Sequence, residues 1–181
     1  VQATIDVGPV EAGEHVLWDP RQGHLLIIGD GPQRAELQAM ADASPAAASI
    51  TLAGALDDAD LLAAYRSASL FVMPNRTMPD GDTEGFGLVF LEANACGRAV
   101  VGGRAGGAVE AVKDGESGLQ VNGEDVDEIA GAISLILGDD ALRARLEAGA
   151  LRHAQANSWE TRVGIFQDLC SNLLRTGEKN V

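Results

Sequence analysis

At 181 residues, with 46% hydrophobic but only 4% aromatic side chains, the chain reads as one domain of ordinary size whose core is built from Leu, Ile, Val and Ala. Its formal charge of −14 excludes nucleic acid as a partner, because binders of polyanions need basic surface. A small phosphorylated ligand stays open, since backbone amides can hold phosphate. The two cysteines, Cys96 and Cys170, make neither a disulfide framework nor a metal spacing. They read as small core residues in a reduced, cytoplasmic setting. No apolar run reaches the length of a membrane span and no signal peptide is read at the start. The first residue is Val1, not Met, which suggests part of a longer chain.

In chain order, residues 1–23 stand apart from the main pattern, with a strand of their own in Ala3-Thr4-Ile5-Asp6-Val7 closed by Gly8-Pro9 and left out of the count that follows. Leu25-Leu26-Ile27-Ile28 is a continuous apolar run, the mark of a strand buried on both faces. Gly29-Asp30-Gly31 turns it, Pro32 takes a first helical position, and a helix runs to about residue 43 before Ser44-Pro45. A second strand covers residues 49–53 and ends at Gly54. Asp57 or Asp58 caps the next helix, whose inner stripe is Leu61, Leu62, Tyr65 and Ala68. Leu70-Phe71-Val72-Met73 is a third strand, stopped by Pro74.

A polar, glycine-rich loop then covers residues 75–87, and a helix over residues 88–95 ends at Cys96-Gly97. Residues 99–101 form a fourth strand, 108–113 a short helix and 118–121 a fifth strand. Three helices follow. Asp125 or Glu124 caps the first, with Ile129, Ile133, Ile136 and Leu137 inward. Asp139-Asp140 opens the second, with Leu142, Leu146 and Ala150 in step. Ser158 caps the third, whose Trp159, Val163, Phe166, Cys170 and Leu173 hold a helical period and read as packing. Strands alternating with helices imply an α/β fold, a Rossmann-like parallel sheet between helical layers with C-terminal helices.

The informative stretch is Glu84-Gly85-Phe86-Gly87-Leu88-Val89-Phe90-Leu91-Glu92. A helix beginning at Leu88 leaves Glu84 in the loop and puts Glu92 on the second turn. The amides of Gly87, Leu88 and Val89 are then unpaired donors at a positive helix end, a ready anion site. The glycines let backbone come close to a ligand. A loop after a strand is also where ligands bind in an open parallel sheet. Taken alone, either glutamate is more simply a solvated acid. Gly29-Asp30-Gly31 lacks the third glycine of a dinucleotide fingerprint and reads as a turn. Arg76 and Arg104 are basic groups near the cleft, each as readily a solvated loop residue as a phosphate contact. His15, His24 and His153 have no metal spacing, and His153 serves a helix end.

Several pieces recur together in a recognisable order: Leu26-Ile27-Ile28-Gly29-Asp30-Gly31-Pro32, the run from Leu61 to Pro74, Glu84-Gly85-Phe86-Gly87, and Glu92-Ala93-Asn94-Ala95-Cys96-Gly97. Gly106-Gly107 with Glu110, Asp114-Gly115-Glu116-Ser117-Gly118-Leu119 and Ser158-Trp159-Glu160 complete the set. Over residues 24–175 the chain resembles the C-terminal, donor-binding domain of retaining family 4 glycosyltransferases, one half of a GT-B architecture. The insert at residues 77–83 looks most like the mannosyltransferases that act on phosphatidylinositol lipids.

The resemblance implies a nucleotide-sugar-binding domain over residues 24–176, a tail at 177–181, and an acceptor-binding N-terminal domain that this chain lacks. It makes Glu84 the catalytic residue, in contact with donor-sugar hydroxyls. Gly85, Phe86, Gly87, Leu88 and Val89 present backbone to sugar and phosphate, Glu92 holds the ribose, and Leu56 offers main chain to the base. No cofactor and no metal are implied; the nucleoside diphosphate sugar is the substrate. The acceptor is compatible with the inner face of a membrane.

Where the family carries an Arg and a Lys after its first strand, this sequence reads Gly8-Pro9-Val10-Glu11-Ala12-Gly13-Glu14. That departure favours a rival, a non-catalytic module that keeps the fold and has lost the donor site. It also implies that the isolated domain is inactive. A nucleotide-sugar epimerase domain is a second rival, and an NAD-dependent oxidoreductase a more distant one.

Overall fold

The computed structural model describes residues 2–6 and 23–177, with side chains over 23–173. Its 6-stranded sheet consists of β1 (Gln2–Asp6), β2 (His24–Ile28), β3 (Ile50–Gly54), β4 (Leu70–Met73), β5 (Val100–Gly103) and β6 (Gly118–Val121), in the order β3-β2-β1-β4-β5-β6. β2 and β3 pair in parallel, as do β4, β5 and β6. β1 is antiparallel to both its neighbours, with Ala3 opposite Ile27 on one side and Val72 on the other. The expected parallel sheet is therefore corrected at one strand. An apolar run reports that a strand forms; its direction is set by the connection that follows. That connection, with residues 8–14, His15 and the Trp18 region, lies outside the described residues.

Both faces of the sheet are covered. Along β4 the side chains alternate with period two. Phe71 packs with Tyr65, Phe90, Ala93, Val100 and Val112 on one face, while Leu70 and Val72 pack with Val101, Val121, Ile136 and Leu146 on the other. The first layer comes from α2 (Asp58–Ser67), α3 (Leu88–Ala95) and α4 (Ala108–Ala111), and the second from α5 (Val126–Gly138) and α6 (Asp140–Ala156). α6 also packs against α3. α1 (Arg34–Ala43) follows β2, and α7 (Trp159–Gly177) closes the chain.

Helix starts follow the capping logic of the sequence. Asp57 accepts from Asp60 N–H at 2.9 Å, Asp125 from Glu128 N–H at 2.9 Å, and Asp139 from Leu142 N–H at 2.9 Å. Ser158 Oγ accepts from Thr161 N–H at 3.2 Å. Each takes up a donor that the first helical turn leaves free. Pro32 is an exception: it sits in the turn, and Gln33 is the N-cap of α1.

The stripe on α7 is a second correction. Trp159 is 78% exposed, and Val163, Phe166 and Leu173 are exposed as well. Period identifies an apolar face without saying what covers it. The cysteines are free and half-buried; Cys96 packs against the core cluster of Tyr65, Phe71 and Phe90 as expected, and burial pushes its thiol above its usual range.

His153, in the last turn of α6, places Nε2 3.1 Å from the Ala111 carbonyl of α4. Partial burial holds its pKa below the ordinary value. The unfolded chain therefore takes up the proton first. This contribution to stability is fully present above about pH 6.5 and is lost as pH falls from there through the lower pKa of the folded state. Thermal melts should show the gap between wild type and His153→Gln closing as the pH is lowered from about 7.5 to 5.5. Separately, Leu146→Ala empties a fully buried position. It should cost about 2–5 kcal/mol, read as a lower urea midpoint at unchanged slope.

Candidate functional site

Because β2 to β6 share one direction, the loops after them gather at a single sheet edge, the edge where open α/β sheets bind ligands. Leu56 follows β3 there, the 74–87 loop follows β4, and Gly106-Gly107 follows β5. α3 begins at the same edge.

Two loops meet backbone to backbone. Gly107 N–H donates to the Glu84 carbonyl at 2.7 Å. A Cβ on Gly106 would stand 2.3 Å from that carbonyl, and one on Gly107 would stand 2.4 Å from the Gly85 carbonyl and 2.5 Å from Phe86 Cα. Asn75 joins the same loops through its side chain. Its amide donates to the Ala105 carbonyl at 2.8 Å, and its side-chain oxygen accepts from Gly103 N–H at 3.0 Å.

This scaffold presents the start of α3. Gly87, the N-cap, lies in the left-handed region at φ 78°, a conformation that favours glycine. A Cβ there would also press 2.8 Å from the Phe90 ring. The turn aims Gly87 N–H back at Glu84, whose Oε1 accepts it at 2.9 Å. The expectation of three bare amides is corrected accordingly: Gly87 gives its N–H to the protein. The N–H groups of Leu88 and Val89 have no protein acceptor among the described residues.

Glu84 is half-buried and engaged by this bond. Glu92 is exposed on α3, yet its Oε2 accepts from the buried Tyr65 hydroxyl at 3.0 Å. Burial, and then the charge of Glu92, push the Tyr65 pKa well above the usual tyrosine range, so the hydroxyl stays a donor. A cavity of about 770 Å³ between α3 and the α6–α7 junction is lined by Phe86, Leu88, Leu91, Glu92, Trp159 and Arg162, among others. Phe86, Leu88 and Glu92 thus share one space, Glu84 stands at the turn before it, and Val89 is half-buried behind. Leu56 contributes to the edge without lining this cavity.

Arg104 is committed elsewhere, paired with both carboxylate oxygens of Glu128 at 2.7 and 2.9 Å. The Gly29-Asp30-Gly31 turn borders a separate cavity of about 210 Å³. Sequence reasoning missed Tyr65 and Asn75 as parts of the site. An inward tyrosine needs a partner for its hydroxyl, and Asn is a turn former at strand ends; both signals were present. Chemically, the N–H groups of Leu88 and Val89 stand free for an anion at a positive helix end, with Glu84 in the turn before them and Glu92 one turn further along α3.

The family model described as group 1 glycosyl transferases matches residues 17–153. The GDP-mannose-dependent alpha-(1-6)-phosphatidylinositol monomannoside mannosyltransferase of Mycolicibacterium smegmatis is 42% identical over 77% of this chain and 36% of its own length. The D-inositol 3-phosphate glycosyltransferase of Acidothermus cellulolyticus is 36% identical over 90% of this chain and 38% of its own length. The chain thus spans well under half the length of these relatives. Among solved structures, sucrose-phosphate synthase from Thermosynechococcus elongatus superposes with a TM-score of 0.67 at 31% identity, over 83% of this chain and 38% of that one. Anabaena Alr3699/HepE in complex with UDP-glucose gives 0.66 at 26% identity, over 83% of this chain and 40% of that one.

The interlock of the two loops yields a paired expectation. Gly107→Ala forces backbone apart and should destabilise by about 1–3 kcal/mol. Gly85→Ala, whose Cβ would meet nothing within 4 Å, should stay within about 0.5 kcal/mol of wild type. Urea denaturation of the two variants side by side checks both.

Proposed function

Because this chain belongs to the group 1 glycosyl transferases, with the GT-B fold of its structural neighbours, we propose that it is the donor-binding half of a retaining enzyme of the family 4 type. In this reading it moves a hexose from a nucleoside diphosphate sugar to an acceptor hydroxyl. The observation that carries the proposal is the start of α3, where the bare N–H groups of Leu88 and Val89 lie between Glu84 and Glu92. The diphosphate sits against those amides, which take up the negative charge that grows on it as the glycosidic bond breaks. Fixed backbone dipoles and the helix end supply that stabilisation without a metal. The leaving diphosphate then helps deprotonate the acceptor on the same face, so the anomeric configuration is kept.

Glu84, oriented by Gly87 N–H, contacts the sugar hydroxyls, and Gly85 and Phe86 line its approach. Glu92 holds the ribose, and the main chain at Leu56 meets the base. Relatives named for GDP-mannose and a neighbour bound to UDP-glucose support the donor class. The acceptor side belongs to an N-terminal domain outside this chain, working at the cytoplasmic face of a membrane, in keeping with relatives named for phosphatidylinositol mannosides.

A second reading rests on residues 8–14, which hold two acids and no base: a module that keeps the fold and has lost its donor site. Calorimetric titration of the full-length protein with GDP and UDP sugars separates the two. Micromolar binding supports the transferase, and millimolar or absent binding supports the degenerate module. Under the first reading, Glu84→Gln should lower kcat/KM by about 10- to 100-fold, the loss expected for a hydrogen bond to a charged group. Unchanged transfer would remove Glu84 from the mechanism.

A further inference from the structure

Glu92 is an exposed side chain on a surface helix, a position where a glutamate ordinarily samples many rotamers. Here one oxygen is fixed. Tyr65 is the single tyrosine of the chain, 3% exposed, and it reaches out of the core from α2 to donate to Oε2 at 3.0 Å. Its ring has little room to move. It tilts against Phe71 with centroids 5.7 Å apart, and Phe71 meets Phe90 edge-on at 5.7 Å. Phe90 belongs to α3 itself, on the helix that carries Glu92, and fills the space beside Gly87. The aromatic row therefore underlies both the glycine turn and the second carboxylate. Glu92 Oε1 has no protein donor among the described residues, and Glu92 lines the cavity shared with Phe86 and Leu88.

We propose that Tyr65 is a positioning residue for donor recognition: by holding Oε2, it presents the Glu92 carboxylate to the two vicinal hydroxyls of a ribose. The inference rests on the donor-binding reading above and extends it to a residue that touches no ligand. A glutamate that grips a diol must give up rotamer freedom. The Tyr65 bond takes that loss during folding, before the ligand arrives. An ionised carboxylate has about four lone-pair sites, so Oε2 can accept from Tyr65 and still receive one ribose hydroxyl while Oε1 receives the other. Phenylalanine at position 65 would keep the packing and release the carboxylate.

The test titrates the full-length protein with GDP and UDP and with their 2′,3′-dideoxy counterparts, in wild type, Tyr65→Phe, Glu92→Gln and the double variant. Tyr65→Phe should weaken binding of the ribonucleotides by about 3- to 10-fold, the range for one modest hydrogen bond, and leave the dideoxy forms unchanged. The double variant should bind no worse than Glu92→Gln alone. Equal weakening of ribose and dideoxy forms would mean that Tyr65 serves packing only, and an unchanged ribose preference would mean that it serves nothing here; either overturns the inference. If Tyr65→Phe melts far below wild type, its titrations are run well below its own midpoint, where a selective loss of ribonucleotide binding still supports the inference and an equal loss of both forms still overturns it. Wild type that binds no nucleotide would instead overturn the donor reading and this inference with it, an outcome distinct from wild type that discriminates ribose without help from Tyr65.

Discussion

The hydrogen bond from Gly107 N–H to the Glu84 carbonyl sets the shape of the site. It draws two strand-following loops so close that side chains are excluded at Gly106 and Gly107. It also gives a loop carbonyl its partner inside the protein, as a partly buried backbone group requires. With its main chain anchored on that side, Glu84 turns its carboxylate toward Gly87, and the left-handed turn at Gly87 delivers α3 with its next two amides uncovered. Asn75 reinforces the same junction from the end of β4. The chemistry proposed for the site depends on this meeting of loops more than on any one acidic side chain.

The electrostatics divide by distance. A chain carrying −14 repels polyanions over the reach of its net field. That field fades within about 8–10 Å at ordinary salt. At contact range the partial charges of bare amides and a helix end decide, and these favour phosphate. Arg104, the basic side chain just past β5, is held by Glu128 and so is not free to supply that attraction. Such a site can be selective for a small diphosphate while the surface as a whole discourages nucleic acid.

How much of this was legible depended on which physical signal each feature leaves in one dimension. The strands at residues 24–28 and 70–73 announced themselves because burial on both faces demands unbroken apolar runs. Caps such as Asp57 and Asp125 were readable because their partners lie three residues away. The 84–92 stretch was legible by its glycines and helix start, together with a family resemblance. The direction of β1 was not, since it depends on a connection and not on composition. Nor was the occupied amide of Gly87, which depends on the rotamer of Glu84. Tyr65 and Glu92 are 27 residues apart, and no local pattern links them. The stripe on α7 was correctly seen as apolar and wrongly read as packed, because its period is the same whether or not anything lies over it.

That uncovered stripe bears on how evenly the chain holds together. Isolated helices are marginal in water, and a helix in a protein draws most of its persistence from the face it packs. α7 keeps its Ser158 cap, but Trp159, Val163, Phe166 and Leu169 contribute little buried surface. Its backbone amides should therefore open to solvent exchange far more often than those of α5 or α6, whose Ile136 and Leu146 are wholly enclosed. Order in this fold is thus unevenly supported: the sheet and its two helical layers rest on enclosed apolar contacts, whereas α7 rests mainly on its own backbone and its cap.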